Sequence, residues 1–152
     1  MTPISRRTAL LRLACLAAIA GGTARAADAV SAGTRRIALG GYDPVSYFED
    51  GKPMKGSVKY SHNFDDVTYT FRSPGHRDKF AANPEKYAPQ YAGYCAGGVS
   101  KGYKVEPDPE AWLIADGKLY VFQYKDRVPE FRKKIAEVAA KADTNWPALK
   151  PR

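Results

Sequence analysis

The sequence predicts a small α+β domain: an antiparallel sheet built from hairpins, packed with a few short helices and a C-terminal amphipathic helix. Three observations predict it. Val58, Tyr60, His62 and Phe64 alternate with Ser57, Lys59, Ser61 and Asn63, and Val67, Tyr69 and Phe71 resume the alternation after Asp65-Asp66, which is strand periodicity on either side of a turn. Trp112 to Ala115 and Lys118 to Phe122 flank Asp116-Gly117, the two-residue signal of a tight hairpin. Val128, Phe131, Ile135, Val138 and Ala142 recur at spacings of three and four, the stripe of one helix that leaves Lys133, Lys134, Glu137 and Lys141 outside.

The elements follow in order. Residues 1–26 read as a cleaved export leader: Ser5-Arg6-Arg7 is a twin-arginine start, Ala9 to Gly22 is a mild apolar run, and Ala24-Arg25-Ala26 supplies small residues at the cut. That run is too short for a bilayer crossing, which needs about 20 apolar residues, and Arg12 interrupts it. No stable membrane anchor is expected, and Arg12 also stands where a lipid-attachment site at Cys15 would want an apolar residue. Residues 27–35 form a small-residue linker and 36–150 the domain. Asp43-Pro44 places an N-cap and a first-turn proline at a short helix, and Ser73-Pro74 and Asn83-Pro84 repeat the device. The small residues around Cys95, from Tyr91 to Val99, suit a loop leading into a short helix. Asn145-Trp146-Pro147 closes the fold, with Trp146 as a packing anchor. No internal repeat, low-complexity tract or second-domain boundary is expected after the linker.

Charge excludes one class of partner. The chain carries 24 basic and 16 acidic residues, a net +8, but four arginines belong to the leader, so the exported part has 20 basic residues and a net +4. The single basic run, Arg132-Lys133-Lys134, reads as a solvated helix face, and no nucleic-acid partner is expected. All ten tyrosines follow the leader and are expected to build the core and its rim. After cleavage Cys95 is the one cysteine left of two, so no disulfide forms within the chain. A buried cysteine can act as a small hydrophobe, but a free thiol in an oxidising compartment is a poor filler, which makes Cys95 the first candidate site residue.

Gly41-Tyr42-Asp43-Pro44-Val45-Ser46-Tyr47-Phe48, Tyr69-Thr70-Phe71-Arg72-Ser73 with Phe80, Asn83-Pro84-Glu85-Lys86-Tyr87 and Gly93-Tyr94-Cys95-Ala96 resemble the YHS-domain family. The likeness runs from about Ile37 to Leu149, and the ending Asn145-Trp146-Pro147-Ala148-Leu149 is similar to the exported single-domain branch. The resemblance implies an exported, periplasmic domain that binds a soft transition metal. In relatives joined to copper-transporting ATPases the ligand cysteines correspond to Ser46, Arg72 and His76, of which only His76 can still coordinate. It also implies chemistry at Cys95, a position that can be selenocysteine in this branch.

Three functions follow as expectations. The first is binding of copper or zinc by Cys95 with His76 and His62, thiolate and imidazole being ligands for such ions. No Cys-x-x-Cys or His-x-x-x-His spacing accompanies them; His76 or Phe80 would be the buried residue of the helix that Pro74 opens, while the first-turn place of His76 as a ligand leads one to expect exposure. The second is single-thiol redox chemistry at Cys95 through a sulfenic acid or a mixed disulfide, with Lys101 or Arg72 as the nearby charge. The third is a non-metal binding module framed by Tyr42, Tyr47, Tyr91 and Tyr94. A metal-handling or redox protein is the expected partner. Binding is favoured over catalysis, because no acyl-transfer motif accompanies the thiol.

Overall fold

Three capped proline starts organise the first half of the domain. The computed structural model describes residues 35–150, so the expected leader, Cys15 and the linker up to residue 34 lie outside the described residues. Asp43 accepts from the Val45 N–H and Pro44 opens α1 (Pro44–Glu49), as the sequence leads one to expect. Ser73 caps α2 (Pro74–Ala82) through the His76 N–H, and Asn83 caps α3 (Pro84–Tyr87) through the Lys86 N–H. Between α1 and α2, β1 (Ser57–Phe64) and β2 (Val67–Phe71) form an antiparallel hairpin that turns on Asp65 and Asp66, both at positive φ. Burial alternates from Tyr60 to Phe64, but Val58 is exposed, because the register shifts between Ser57 and Ser61 and the bulge re-aims that end of the strand.

The second half begins with α4 (Ala96–Val99), whose first cap position is Cys95. β3 (Asp108–Ala115) and β4 (Lys118–Phe122) make the second antiparallel hairpin, turning at Asp116-Gly117 as expected, and each hairpin is a separate two-stranded sheet. A 3-10 turn, Lys125–Arg127, leads into α5 (Val128–Lys133) and α6 (Ile135–Leu149). The one helix expected along the Val128-to-Ala142 stripe is therefore two, broken at Lys134, where φ is −128° and ψ 24°. The break lets α5 lay Phe131 flat on Phe122, with 4.3 Å between ring centroids, while α6 runs against α4.

The structure also corrects the expectation that nothing repeats. β1 pairs Ser57, Ser61, His62, Asn63 and Phe64 with Phe71, Thr70, Tyr69, Thr68 and Val67 of β2. β3 pairs Asp108, Trp112, Leu113, Ile114 and Ala115 with Phe122, Val121, Tyr120, Leu119 and Lys118 of β4. Each position of the second hairpin lies 51 residues after its counterpart, bulge included, as Asp108 does after Ser57 and Phe122 after Phe71. Twelve described residues have positive φ, and they fall into six pairs: Leu39 with Tyr91, Gly40 with Ala92, Gly41 with Gly93, Gly51 with Gly102, Asp65 with Asp116, and Asp66 with Gly117. The spacing is 52 residues up to Gly41 and 51 from Gly51 onward, so the second copy is one residue shorter across the stretch that holds the short helix. Phe80 packs on Phe71 as Phe131 packs on Phe122, and the Asp43 N–H donates to Met54 O as the Cys95 N–H donates to Val105 O. The domain is one unit built twice: a 3-10 turn (Ala38–Gly41, then Gln90–Gly93), a short helix, a hairpin and a pair of helices.

The two units share a core. One apolar cluster centres on Leu39, Tyr69, Phe71 and Phe80 but takes Leu119 and Val121 from the second unit. The other gathers Val99, Leu113, Phe122 and Val138, and Trp146 packs against both, the anchoring role expected of it. Among the described residues no helix is long and apolar enough to cross a membrane.

Candidate functional site

The three metal candidates have three different surroundings. His76 is buried, not exposed: α2 turns its ring inward, where Nδ1–H donates to Asp43 Oδ2 at 2.7 Å. His62 is half-buried on β1 with its ring edge against Phe80. Cys95 is buried in the second apolar cluster. Among the described residues no group of three or more His, Cys, Asp and Glu side chains could hold a metal ion.

Cys95 does line a cavity. The space, of about 70 Å³, is walled by Cys95 with Gly97, Gly98, Gln123, Arg127 and Phe131, and Lys101, Tyr103 and Tyr124 also line it. Two glycines make this space by letting large groups come close. A Cβ on Gly97 would stand 2.8 Å from Phe131 Cζ, and one on Gly98 would stand 2.9 Å from Val105 Cγ1. Lys101 lines the same cavity as Cys95, but Arg72 does not and pairs with Asp50 at 3.0 Å in the first unit. The second cation is Arg127, held by Glu130 at 2.9 Å. Tyr103 and Tyr124 remain 49% and 57% exposed, two of the four large hydrophobic side chains most open to solvent among the described residues. Cys95 as a whole is 5% exposed, and its thiol makes no hydrogen bond with a described residue.

The repeat gives this cavity a counterpart. Cys95 occupies the position of Asp43, Gly97 that of Val45, Gln123 that of Arg72 and Arg127 that of His76, at the same spacings that relate the two backbones. In the first unit the position is filled and fully satisfied. Asp43 is completely buried; Oδ1 accepts from the Val45 N–H at 2.9 Å, and Oδ2 accepts from the Arg72 N–H at 3.0 Å and from His76. Sequence reasoning found Asp43 only as a helix cap and missed Gln123 and Arg127. The missing signal was the repeat itself, visible in the sequence in Gly41-Tyr42 with Gly93-Tyr94 and in the pairs Gly51 with Gly102, Asp65 with Asp116, Tyr69 with Tyr120, Phe71 with Phe122 and Phe80 with Phe131.

The four tyrosines do not frame one pocket. Tyr47 is buried, donates to Pro109 O at 2.8 Å and meets Trp112 edge-on, so its hydroxyl is pushed far up in pKa, by burial first. Tyr42 and Tyr94, counterparts in the repeat, carry Lys55 and Arg36 over their rings. Tyr91 lines a wider cavity of about 280 Å³ with Asp65, Glu85, Asp143 and Trp146, and its hydroxyl donates to Asp143 at 2.9 Å. The chain matches no protein-family model, no curated protein and no solved structure.

Proposed function

We propose that the protein is a single-thiol redox domain acting through Cys95. The observation that carries this reading is the thiol's position, at the wall of a small cavity whose other polar lining is cationic or neutral, with two exposed tyrosines beside it. Lys101 and Arg127 disfavour a bound metal cation and draw in an anionic or strongly polar reactant. The volume suits a reactant of a few heavy atoms, such as hydrogen peroxide or a small organic hydroperoxide. Attack of the Cys95 sulfur on the peroxide oxygen breaks the O–O bond, giving a sulfenic acid and releasing water or an alcohol. An external thiol then displaces water to form a mixed disulfide, and a second thiol releases the disulfide and restores Cys95. Tyr103 and Tyr124 offer the apolar surface on which a thiol-bearing redox partner would dock. With the leader read as a twin-arginine export signal and the domain as YHS-like, this cycle belongs in the periplasm.

The test is a dimedone trap of the sulfenic acid, read by intact mass after one equivalent of hydrogen peroxide, with titration of copper(I) and zinc in parallel. A single adduct in the wild type, absent from Cys95→Ser, is the expected result. No adduct, together with stoichiometric metal that Cys95→Ser loses, overturns the redox reading in favour of the soft-metal site that the family resemblance implies.

A further inference from the structure

We infer that the cavity beside Cys95 is an oxyanion site, built to receive oxygen atoms attached to the Cys95 sulfur. The argument comes from the other copy of the unit. There a carboxylate fills the equivalent place, and three donors hold it: the Val45 N–H, the Arg72 N–H and the His76 ring. The counterparts in the second unit are the Gly97 N–H, the Gln123 N–H and the Arg127 guanidinium. Neither of these two backbone N–H groups has a hydrogen-bond partner among the described residues. Gly97, Gln123 and Arg127 all line the cavity, and the Cys95 Sγ lies 3.7 Å from where a Cβ on Gly97 would stand. The first unit thus shows a satisfied carboxylate, and the second shows an equivalent donor set around a thiol that lacks the oxygens.

Oxidation supplies them. In aspartate the atom after Cβ carries two oxygens; in a cysteine sulfinate the sulfur, also the atom after Cβ, carries two oxygens and one negative charge. A first hydroperoxide converts the thiol to the sulfenic acid with loss of water or alcohol, and a second converts that to the sulfinic acid with loss of another. The sulfenate places one oxygen in the site and the sulfinate fills it. Arg127 exchanges part of its pairing with Glu130 for this oxyanion, a charge-assisted contact of the kind His76 makes at Asp43. The cavity in the reduced protein is therefore the room that the oxidised side chain takes up.

The inference rests on Cys95 as the reacting group, and it is tested without using that reactivity. Cys95→Asp writes the first unit's carboxylate into the second. The expected result is a folded protein whose Tm is equal to or above that of Cys95→Ser, whereas a carboxylate placed at an ordinary core position, Val99→Asp as control, lowers the Tm by about 10 °C or more. Arg127→Leu is expected to lower the Tm of Cys95→Asp several times more than that of Cys95→Ser, and Arg127→His to restore the aspartate background in part. A Cys95→Asp protein that melts as low as the control, or one indifferent to Arg127, overturns the inference. A peroxide-inert Cys95 alongside a well-tolerated aspartate removes the redox reading and leaves the oxyanion site standing. A reactive Cys95 alongside a collapsed Cys95→Asp does the reverse.

Discussion

Asp43 is a carboxylate with no access to water, and it survives there because every donor around it is fixed by a different element: α1 gives the Val45 N–H, the end of β2 the Arg72 N–H, and α2 the His76 ring. Removing it strands those donors. Asp43→Ala is expected to cost about 3–5 kcal/mol in urea unfolding, the scale for breaking a buried charged contact from one side. The opposite case is Tyr69, whose hydroxyl is buried with no hydrogen-bond partner among the described residues. Tyr69→Phe is expected to stabilise the domain by about 1 kcal/mol, the cost of an unmet buried polar group; a loss of stability would show that the hydroxyl has a partner after all. At this scale the sequence marked Cys95 by elimination and Asp43 by its place before a proline. It could not mark Arg127 or Gln123, because neither belongs to a spacing pattern of its own. Their meaning comes from what stands 51 residues earlier.

Among the elements, the pairing of α5 with β4 decides the shape of the thiol cavity. Phe131 lies over Gly97, and a methyl there would meet the ring at 2.8 Å. Gly97→Ala is expected to cost about 1–3 kcal/mol as overpacking and to slow Cys95 modification by a small thiol reagent several-fold, while Gly75→Ala, on α2 with ordinary backbone and no neighbour nearer than 3.9 Å, leaves that rate unchanged. The first unit ties its helices with charge instead. Lys79 and Tyr87 donate to Glu49 and hold its carboxyl below the ordinary glutamate value, the Lys79 hydrogen bond first. A lowered folded value means that the contribution is complete above the unfolded pKa and disappears as pH falls through the folded one. Wild-type stability is therefore expected to drop more than that of Glu49→Gln between neutral pH and the acid side of that range, measured as urea midpoints. Hairpins and caps were legible because turn chemistry is local. The break at Lys134 was not, since the apolar stripe continues across it and only the competing demands of Phe122 and α4 divide the helix.

The whole molecule is held together by exchange between its two units. Leu119 and Val121 complete the first cluster, Tyr47 donates to Pro109 O and stacks edge-on against Trp112, and Arg36 pairs with Glu106. A fragment carrying the first unit alone, 36–88, lacks these partners and is expected to show no cooperative unfolding transition, whereas the full domain unfolds in one step seen alike by tryptophan fluorescence and far-ultraviolet dichroism. Two separated transitions would mean that each unit holds its own core. The α+β class was readable from periodicity, but the doubling was not, because the copies agree in backbone and in a few aromatics while nearly every polar side chain differs. That difference has an evolutionary reading. When one architecture is present twice, a sealed carboxylate held by its donors in one copy can secure the shape, and the matching place in the other is released from that duty. Its residues then carry no such structural duty and can differ from the first copy's, as Cys95, Gly97, Gln123 and Arg127 differ from Asp43, Val45, Arg72 and His76.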